Sequence, residues 1–427
     1  MWNVRMNTNF FNSTGKITAL LILGLLLITS NVFSQNNTSS PYSYFGLGER
    51  MQNMNGNSAA MGGVSYGYKR GDVLNLSNPA SLSSIDSLKF HFNIGTTFKF
   101  SKLNQGDKSD HFNDFNLSRI AFGFKVSHRY GTALSISPYS SLGYDITKRD
   151  KILGDSRSVI RSLLGTGGLN QFVWSNGVQL SKDLSLGVNG IYLFGNNTRS
   201  EDVVIEGGAS TVYSGKTELI SKGLYFNLAL QYERTFGDYK INFGGMYQPN
   251  ISVDAKKITS VYVSNSSASR FEDEDRGTFD VPESFGVGFG LNKGKHLWFG
   301  GDYTHEKWSG TRIFDEATDL VNRDKFSLGM EYNANDGYAR KFIKKMTYRM
   351  GGFYDNGYIK VGGNNIDSYG LSLGLGIPMA QQKGMLNIAV EFGSTGTLNN
   401  NMVREDYTRV TIDFNLFETW FVKRKYQ

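Results

Sequence analysis

The 427-residue chain carries 45 Lys and Arg against 38 Asp and Glu, a net charge of +7, with 50 Gly, 6 Pro, no Cys, and 5 Trp, 23 Tyr and 30 Phe. Aromatic residues this dense bury themselves, which excludes a disordered chain. The missing thiol excludes a disulfide scaffold, a cysteine-ligated metal site and a lipid-anchored lipoprotein. The mild charge lacks the single basic face that a nucleic-acid binder needs.

Arg5 and Lys16 precede the apolar run Ile17–Ile28, and a polar break with Val32-Phe33-Ser34 follows. This pattern predicts a signal peptide over 1–34, cleaved after Ser34. The alternative, a retained anchor, has a run short of the ~20 residues that span a bilayer. Loss of residues 1–34 removes two positive charges and leaves +5. No later segment is apolar enough for a transmembrane helix, and mean hydropathy is −0.33. An exported chain of this kind is either soluble or a β-barrel, whose apolar residues alternate and escape averaging.

Residues 35–87 alternate poorly and are rich in small residues, as in Ala59-Ala60-Met61-Gly62-Gly63 and Leu74-Asn75-Leu76-Ser77-Asn78-Pro79-Ala80. The segment is too small for a domain of its own. It is expected to fill the interior of the element that follows.

From Leu88 the pattern becomes strict. Leu88, Phe90, Phe92, Ile94, Thr96, Phe98 and Phe100 interleave with Lys89, His91, Asn93, Gly95, Thr97 and Lys99. Successive strand side chains point to opposite faces, so one face is oily and the other wet. The pattern recurs near 120–126, 132–144, 172–180, 184–194, 224–232, 239–247, 285–291, 297–303, 326–332, 346–354, 369–377, 386–392 and 410–416. Long polar connections (102–116, 148–169, 199–218, 263–281, 312–323, 356–366, 397–406) take turns with short ones. The reading is all-β: a 14-stranded antiparallel transmembrane β-barrel over 88–422, with an N-terminal hatch over 35–87 and a basic tail over 423–427. Gly95, Gly123, Gly187, Gly286, Gly288, Gly290, Gly329 and Gly374 fall mid-strand and leave room for something inside. Trp174, Trp298, Trp308 and Trp420 are candidates for interfacial girdles.

Met61-Gly62-Gly63, then Asn78-Pro79-Ala80 just before the first strand, and Val281-Pro282-Glu283 leading into Phe285-Gly286-Val287-Gly288 resemble the FadL-type outer-membrane transporters of hydrophobic compounds. Trp298 and Asp302 in the next strand fit the same resemblance. It implies a 14-stranded barrel, a hatch that blocks the lumen, and sideways exit of a fatty acid or aromatic compound through a gap at a kinked third strand. The third strand has its own grounds for a kink: Pro138 has no N–H for the ladder, and Gly143 is a second weak point. The gate reading and that of an ordinary rim bulge both stand.

The wet face carries Lys89, His91, Lys99, Arg119 and Lys125, with Arg349, Glu331, Glu391 and Asp413, which are expected to pair in a lattice that holds the hatch. The five His show no metal spacing, and Glu272-Asp273-Glu274-Asp275 lacks the ligand spacing and Gly of a calcium loop, so no metal or cofactor is expected. Nothing resembles a nucleophile elbow or a phosphate loop, so no enzyme is expected. The long loops are polar, except that Ser156–Leu164 places Val159, Ile160, Leu163 and Leu164 at helical spacing. The aromatic C-terminus ending at Trp420-Phe421 suits recognition by barrel-insertion machinery. Two functions follow as expectations: passage of a hydrophobic small molecule past the hatch, or a non-conducting barrel that is a subunit or scaffold of an outer-membrane secretion or assembly complex. The partners expected are outer-membrane lipid, a hydrophobic small molecule and other outer-membrane proteins.

Overall fold

The computed structural model describes residues 38–419, apart from 152–153, 155–156, 207–211, 264–269, 315, 318–319, 336–340 and 380–383. The expected signal peptide, Trp420 and the basic tail lie outside the described residues.

Fourteen antiparallel strands form a closed barrel. They are β1 (Lys89–Gln105), β2 (Lys108–Ser127), β3 (Tyr130–Lys151), β4 (Ser158–Gln179), β5 (Leu184–Ile205), β6 (Val212–Phe236), β7 (Tyr239–Gln248, resuming as Ile251–Val263), β8 (Arg270–Val281, resuming as Ser284–Lys293), β9 (Leu297–Glu306), β10 (Arg323–Asn333), β11 (Thr347–Asp355), β12 (Ser368–Pro378), β13 (Gly384–Gly396) and β14 (Arg404–Thr419). β7 and β8 break at Pro249 and Pro282, where a ladder donor is missing. The circle closes where β1 pairs with β14, from Lys89↔Thr419 to Asn104↔Arg404.

The alternation places side chains as expected. Phe90 stacks on Phe122 and Phe124 on the outer face, with ring centroids 6.1 and 6.3 Å apart. Phe172, Trp174, Leu224 and Leu371 are exposed on the same side, while His91, Asn93, Ser175, Asn189 and Gln231 are buried on the inner side. Apolar outside and polar inside is the inverse of a soluble protein and suits a wall bathed in lipid.

Four of the stretches expected to be long loops are strand instead. β1 and β2 run up to a turn at Gly106-Asp107, and β4, β5 and β6 are 22, 22 and 25 residues long. About 9–11 residues cross a bilayer, so the sheet rises well clear of it. Water bathes both faces there, which removes the apolar alternation, but the ladder still satisfies the backbone. The same physics explains the amphipathic loop piece read over Ser156–Leu164: among its described residues, Val159 to Leu164 lie in β4 and pair with Ile205 to Ser200 of β5 rather than following their helical spacing. Glu272 to Asp275 lie in β8, exposed, opposite Ser260 to Lys257.

Two girdle candidates point inward. Trp298 is buried edge-on against Tyr68, centroids 5.0 Å apart, and Trp308 is buried beneath the outer mouth. Each finds a rigid apolar partner inside the barrel, which outweighs a place at the interface.

The segment before β1 packs against the inner wall. It contains a 3₁₀ turn (Pro41–Tyr44), the two-residue strand Glu49–Arg50, a short helix (Gly56–Ala59) and a 3₁₀ helix (Pro79–Ser84). Wall glycines make the room for it. A Cβ on Gly187 would strike Ala80 N and Pro79 C, and one on Gly329 would lie 2.6 Å from Met61 Cβ. Gly123, Gly286, Gly288, Gly290 and Gly374 likewise face Leu74, Tyr66, Gly67 and Ala60, whereas Gly95 faces Ser118 and Asp413 of the wall itself. Replacing Gly187 by Val is therefore expected to lower the denaturation midpoint by the equivalent of ~1–3 kcal/mol and to expose residues 38–87 to protease. Gly190→Val, where a Cβ meets nothing within 4 Å, leaves both readouts unchanged.

Candidate functional site

The candidate site is the lumen and the seam where β2 meets β3. β1 and β2 pair along their full length, with a register shift between Gly95 and Thr96 that leaves Ser118 unpaired in β2. β3 and β4 also pair throughout, with a shift between Pro138 and Ser140 that bulges Tyr139. β2 and β3, by contrast, pair only from Ser127↔Tyr130 to Ile120↔Ile136. Above that rung the ladder between them ends, and the two bulges flank the end point. Pro138 thus sits at the break, and Tyr139 to Tyr144 turn inward and are buried.

The leading segment occupies the break. Glu49 and Arg50 pair antiparallel with Ser141 and Ser140 of β3, and Met51 N donates to Tyr139 O at 3.1 Å. Ser43 Oγ donates to Gly143 O at 2.9 Å and accepts from Gly143 N at 3.1 Å. On the other flank, Ser39 Oγ donates to Asp114 of β2 at 2.7 Å. Gly143 is thereby a docking point for Ser43.

Three ionic groups fix the segment to the wall. Nearest the seam, Lys99 bridges Glu49 (3.1 Å) and Glu405 (2.7 Å), while Arg409 holds Glu391 at 2.8 Å. Beneath the mouth, Arg323 pairs with Glu306 (2.8 Å) and Asp355 (2.6 Å), and Arg50 lies 3.8 Å over the Tyr139 ring and 3.7 Å from Glu306. In the third group Glu331 accepts from Arg70 and Arg349, both at 2.6 Å, and from Tyr68 Oη at 3.0 Å. The expected lattice included Lys99, Glu331, Arg349 and Glu391. It missed Glu49, Arg50 and Arg70, because a segment without periodicity gives no sign of which way it faces.

The remaining candidates have structural places. Gly62 has φ +67°, and its N–H donates to Ser372 Oγ at 2.9 Å; Gly63 has φ +95°, and its N–H donates to Ser58 O at 2.8 Å. Both angles favour glycine. Asn78 caps Pro79–Ser84 through Ala80 N (3.2 Å) and donates to Tyr66 O (2.9 Å) and Leu230 O (3.0 Å). Asp302 accepts from Ser65 N (2.6 Å) and Tyr66 N (2.9 Å). Arg119 is buried and forks onto Asn93 Oδ1 at 2.9 and 2.7 Å. Lys89 pairs with Asp86 at 2.7 Å, His91 is buried beside Phe417, and Lys125 is half-buried. Among the described residues no group of His, Asp and Glu is arranged to hold a metal ion.

The outer mouth is capped from within. The connections after β9 and β11 fold inward, and Trp308, Tyr358, Ile359 and Ile366 pack with Leu47, Phe279, Val281 and Leu193 in one apolar cluster. Tyr358 Oη donates to Gly48 O, and Trp308 and Tyr358 rings lie 4.7 Å apart. Cavities remain within the lumen among the described residues. One, of about 170 Å³, runs from Ser118, Thr97 and Pro138 at the seam to Arg409 and Asp355. Another, of about 190 Å³, lies on the far side of Arg50 to Met54 and is edged by Asn189, Gln171, Asp302 and Lys325.

The family model for BamG matches residues 16–427. The chain belongs to the BamG family. None of the curated proteins matches its sequence. Among solved structures, the BamG-family barrel is similar to the toluene transporter TbuX of Ralstonia pickettii, at 15% identity and a TM-score of 0.56, covering 85% of this chain and 98% of that one. A FadL homologue of Pseudomonas aeruginosa gives 14% and 0.59, covering 87% and 99%. The toluene transporter TodX of Pseudomonas putida gives 13% and 0.57, covering 87% and 99%. These likenesses establish a shared fold: the FadL-type outer-membrane barrel.

Burial pushes the Glu49 carboxyl up, but Lys99, Arg409 and the Thr38 hydroxyl outweigh it and hold it below the usual carboxylate range. A depressed value stabilises the folded state above the usual range, and that stability is lost as pH falls through the lowered value. Acid is thus expected to loosen residues 38–51 at the seam. Protease accessibility measured against pH checks this, and Glu49→Gln should flatten the profile.

Proposed function

We propose that this barrel is a stoppered, non-conducting component of the outer membrane of a Gram-negative bacterium, exported by a cleaved signal peptide. On this reading it serves as a subunit or scaffold of a larger outer-membrane protein assembly or secretion complex. The observation that carries the reading is the filling of the lumen. Pockets for drug-sized ligands are mostly apolar and hold roughly 300–1,000 Å³. Here much of the apolar volume beneath the mouth is taken by Trp308, Tyr358, Phe279 and Leu47. Two cavities in the lumen hold about 170 and 190 Å³; Met51, Met54, Phe353 and Tyr407 line the first beside Arg409 and Asp355, and both fall short of that range. Residues 35–87 are then a fixed hatch. The tops of β4, β5 and β6, which mix Val159, Ile160, Val203 and Val204 with Arg161, Glu201 and Asp202, offer surface to other proteins.

A second reading is favoured by one observation, the ladder break beside Pro138. The FadL homologue, TbuX and TodX share the architecture, and on this reading a fatty acid or aromatic compound would pass sideways at the seam once the hatch moved. No chemistry is required in either case; binding surfaces and packing do the work.

Purification from native membranes, with mass spectrometry of proteins and lipids, separates the two. The scaffold reading expects a stoichiometric complex with other outer-membrane proteins and no hydrophobic molecule retained. A lone barrel carrying a bound fatty acid or hydrocarbon would overturn it. Under the transport reading Pro138→Val restores a ladder donor and slows uptake of a labelled hydrophobic compound several-fold; unchanged uptake counts against a gate there.

A further inference from the structure

We propose that the upper edge of β3, from Tyr144 to Lys151, is a strand-addition site for an extended segment of a partner polypeptide. The β2–β3 ladder stops at Ile120↔Ile136, while β3 continues to Lys151 with its other edge fully paired to β4. The leading segment covers only the lower part of the vacated edge, through Glu49↔Ser141, Arg50↔Ser140 and the Ser43–Gly143 pair. Among the described residues no ladder rung reaches the free edge from Tyr144 upward. Eight residues at ~3.3 Å each give about 26 Å of unpaired backbone, and such an edge is a template for another strand.

The chain's own residues show that this edge accepts a strand, because Glu49 and Arg50 already add to it in antiparallel fashion. Lipid is a poor alternative occupant: a row of alternating N–H and C=O groups is matched by another backbone and by nothing in a lipid. The charges beside the edge are already matched within the chain, Lys148 by Asp150 at 3.4 Å and Arg149 by Glu206 at 2.8 Å, so the backbone and not a charge excess selects the partner. The proposal rests on the scaffold reading for its biological setting and names how one partner is held.

The test uses the full barrel reconstituted in nanodiscs and a ten-residue synthetic peptide of alternating Val, Thr and Glu. Hydrogen exchange is read residue by residue with and without the peptide. The expected result is slowing by at least about tenfold at alternate amides within 144–151, with no change at 132–136, where β2 already pairs. The same peptide N-methylated at alternate residues keeps its side chains but loses its donors, and should give no slowing. No slowing with the unmodified peptide, or equal slowing with the methylated one, would overturn the proposal. The readout needs no native partner, so its failure is distinct from failure of the complex to co-purify.

Discussion

In hydrocarbon a backbone N–H or C=O without a partner costs several kcal/mol, and this constraint organises the molecule. It requires that the sheet close on itself, which β1 and β14 accomplish over sixteen rungs. It makes any gap in the ladder a liability, and the gap here is the stretch of β2 and β3 above Ile120 and Ile136. Pro138 and the bulges at Ser118 and Tyr139 dictate that gap locally. The leading segment answers it by lending the backbone of Glu49 to Met51 to β3. The leading segment and the wall are thus one hydrogen-bonded system.

The second organising problem is volume. A barrel of fourteen strands encloses more space than its own inward side chains fill. Glycine on the wall turns that space into a mould: at Gly187 and Gly329 the leading segment's backbone and Met61 sit where a side chain would otherwise be. Charge then fixes which way the filling faces. Buried ion pairs barely repay their desolvation, and removing one partner costs about 3–5 kcal/mol because the other is left buried and unpaired. Glu331 between Arg70 and Arg349 therefore adds less to stability than it does to position.

The wall was legible in the sequence because lipid on one side and a polar interior on the other impose strict alternation, as from Leu88 to Phe100. Strand number, facing and the Pro138 irregularity could all be read that way. Where water bathes both faces the pattern vanishes, so the last residues of β1 and the upper parts of β2, β4, β5 and β6 read as loops although they are paired. The inward turn of Trp298 and Trp308 was hidden for another reason: an aromatic near a strand end satisfies a girdle and a core equally well, and only Tyr68 and Tyr358 decide between them. The partners of the lumen charges were hidden too. Arg50 and Arg70 lie more than two hundred residues from Glu306 and Glu331, and no spacing rule links them.

A shared fold does not settle function; the contents of the site do. This barrel keeps the architecture of its transporter neighbours, and its own β2–β3 ladder is interrupted beside Pro138, yet the space beneath its outer mouth is packed with Trp308, Tyr358, Phe279 and Leu47. A ligand would have to displace those rings, and moving the hatch would cost it the Glu49, Arg50 and Arg70 ion pairs as well. The broken ladder is less restricted. Its lower part is filled by the chain's own Glu49 and Arg50, while the stretch beyond Tyr144 has no ladder partner on that edge among the described residues. On the scaffold reading, a lumen filled by the chain's own leading segment, beside an edge without a ladder partner, directs interaction to the outside of the barrel.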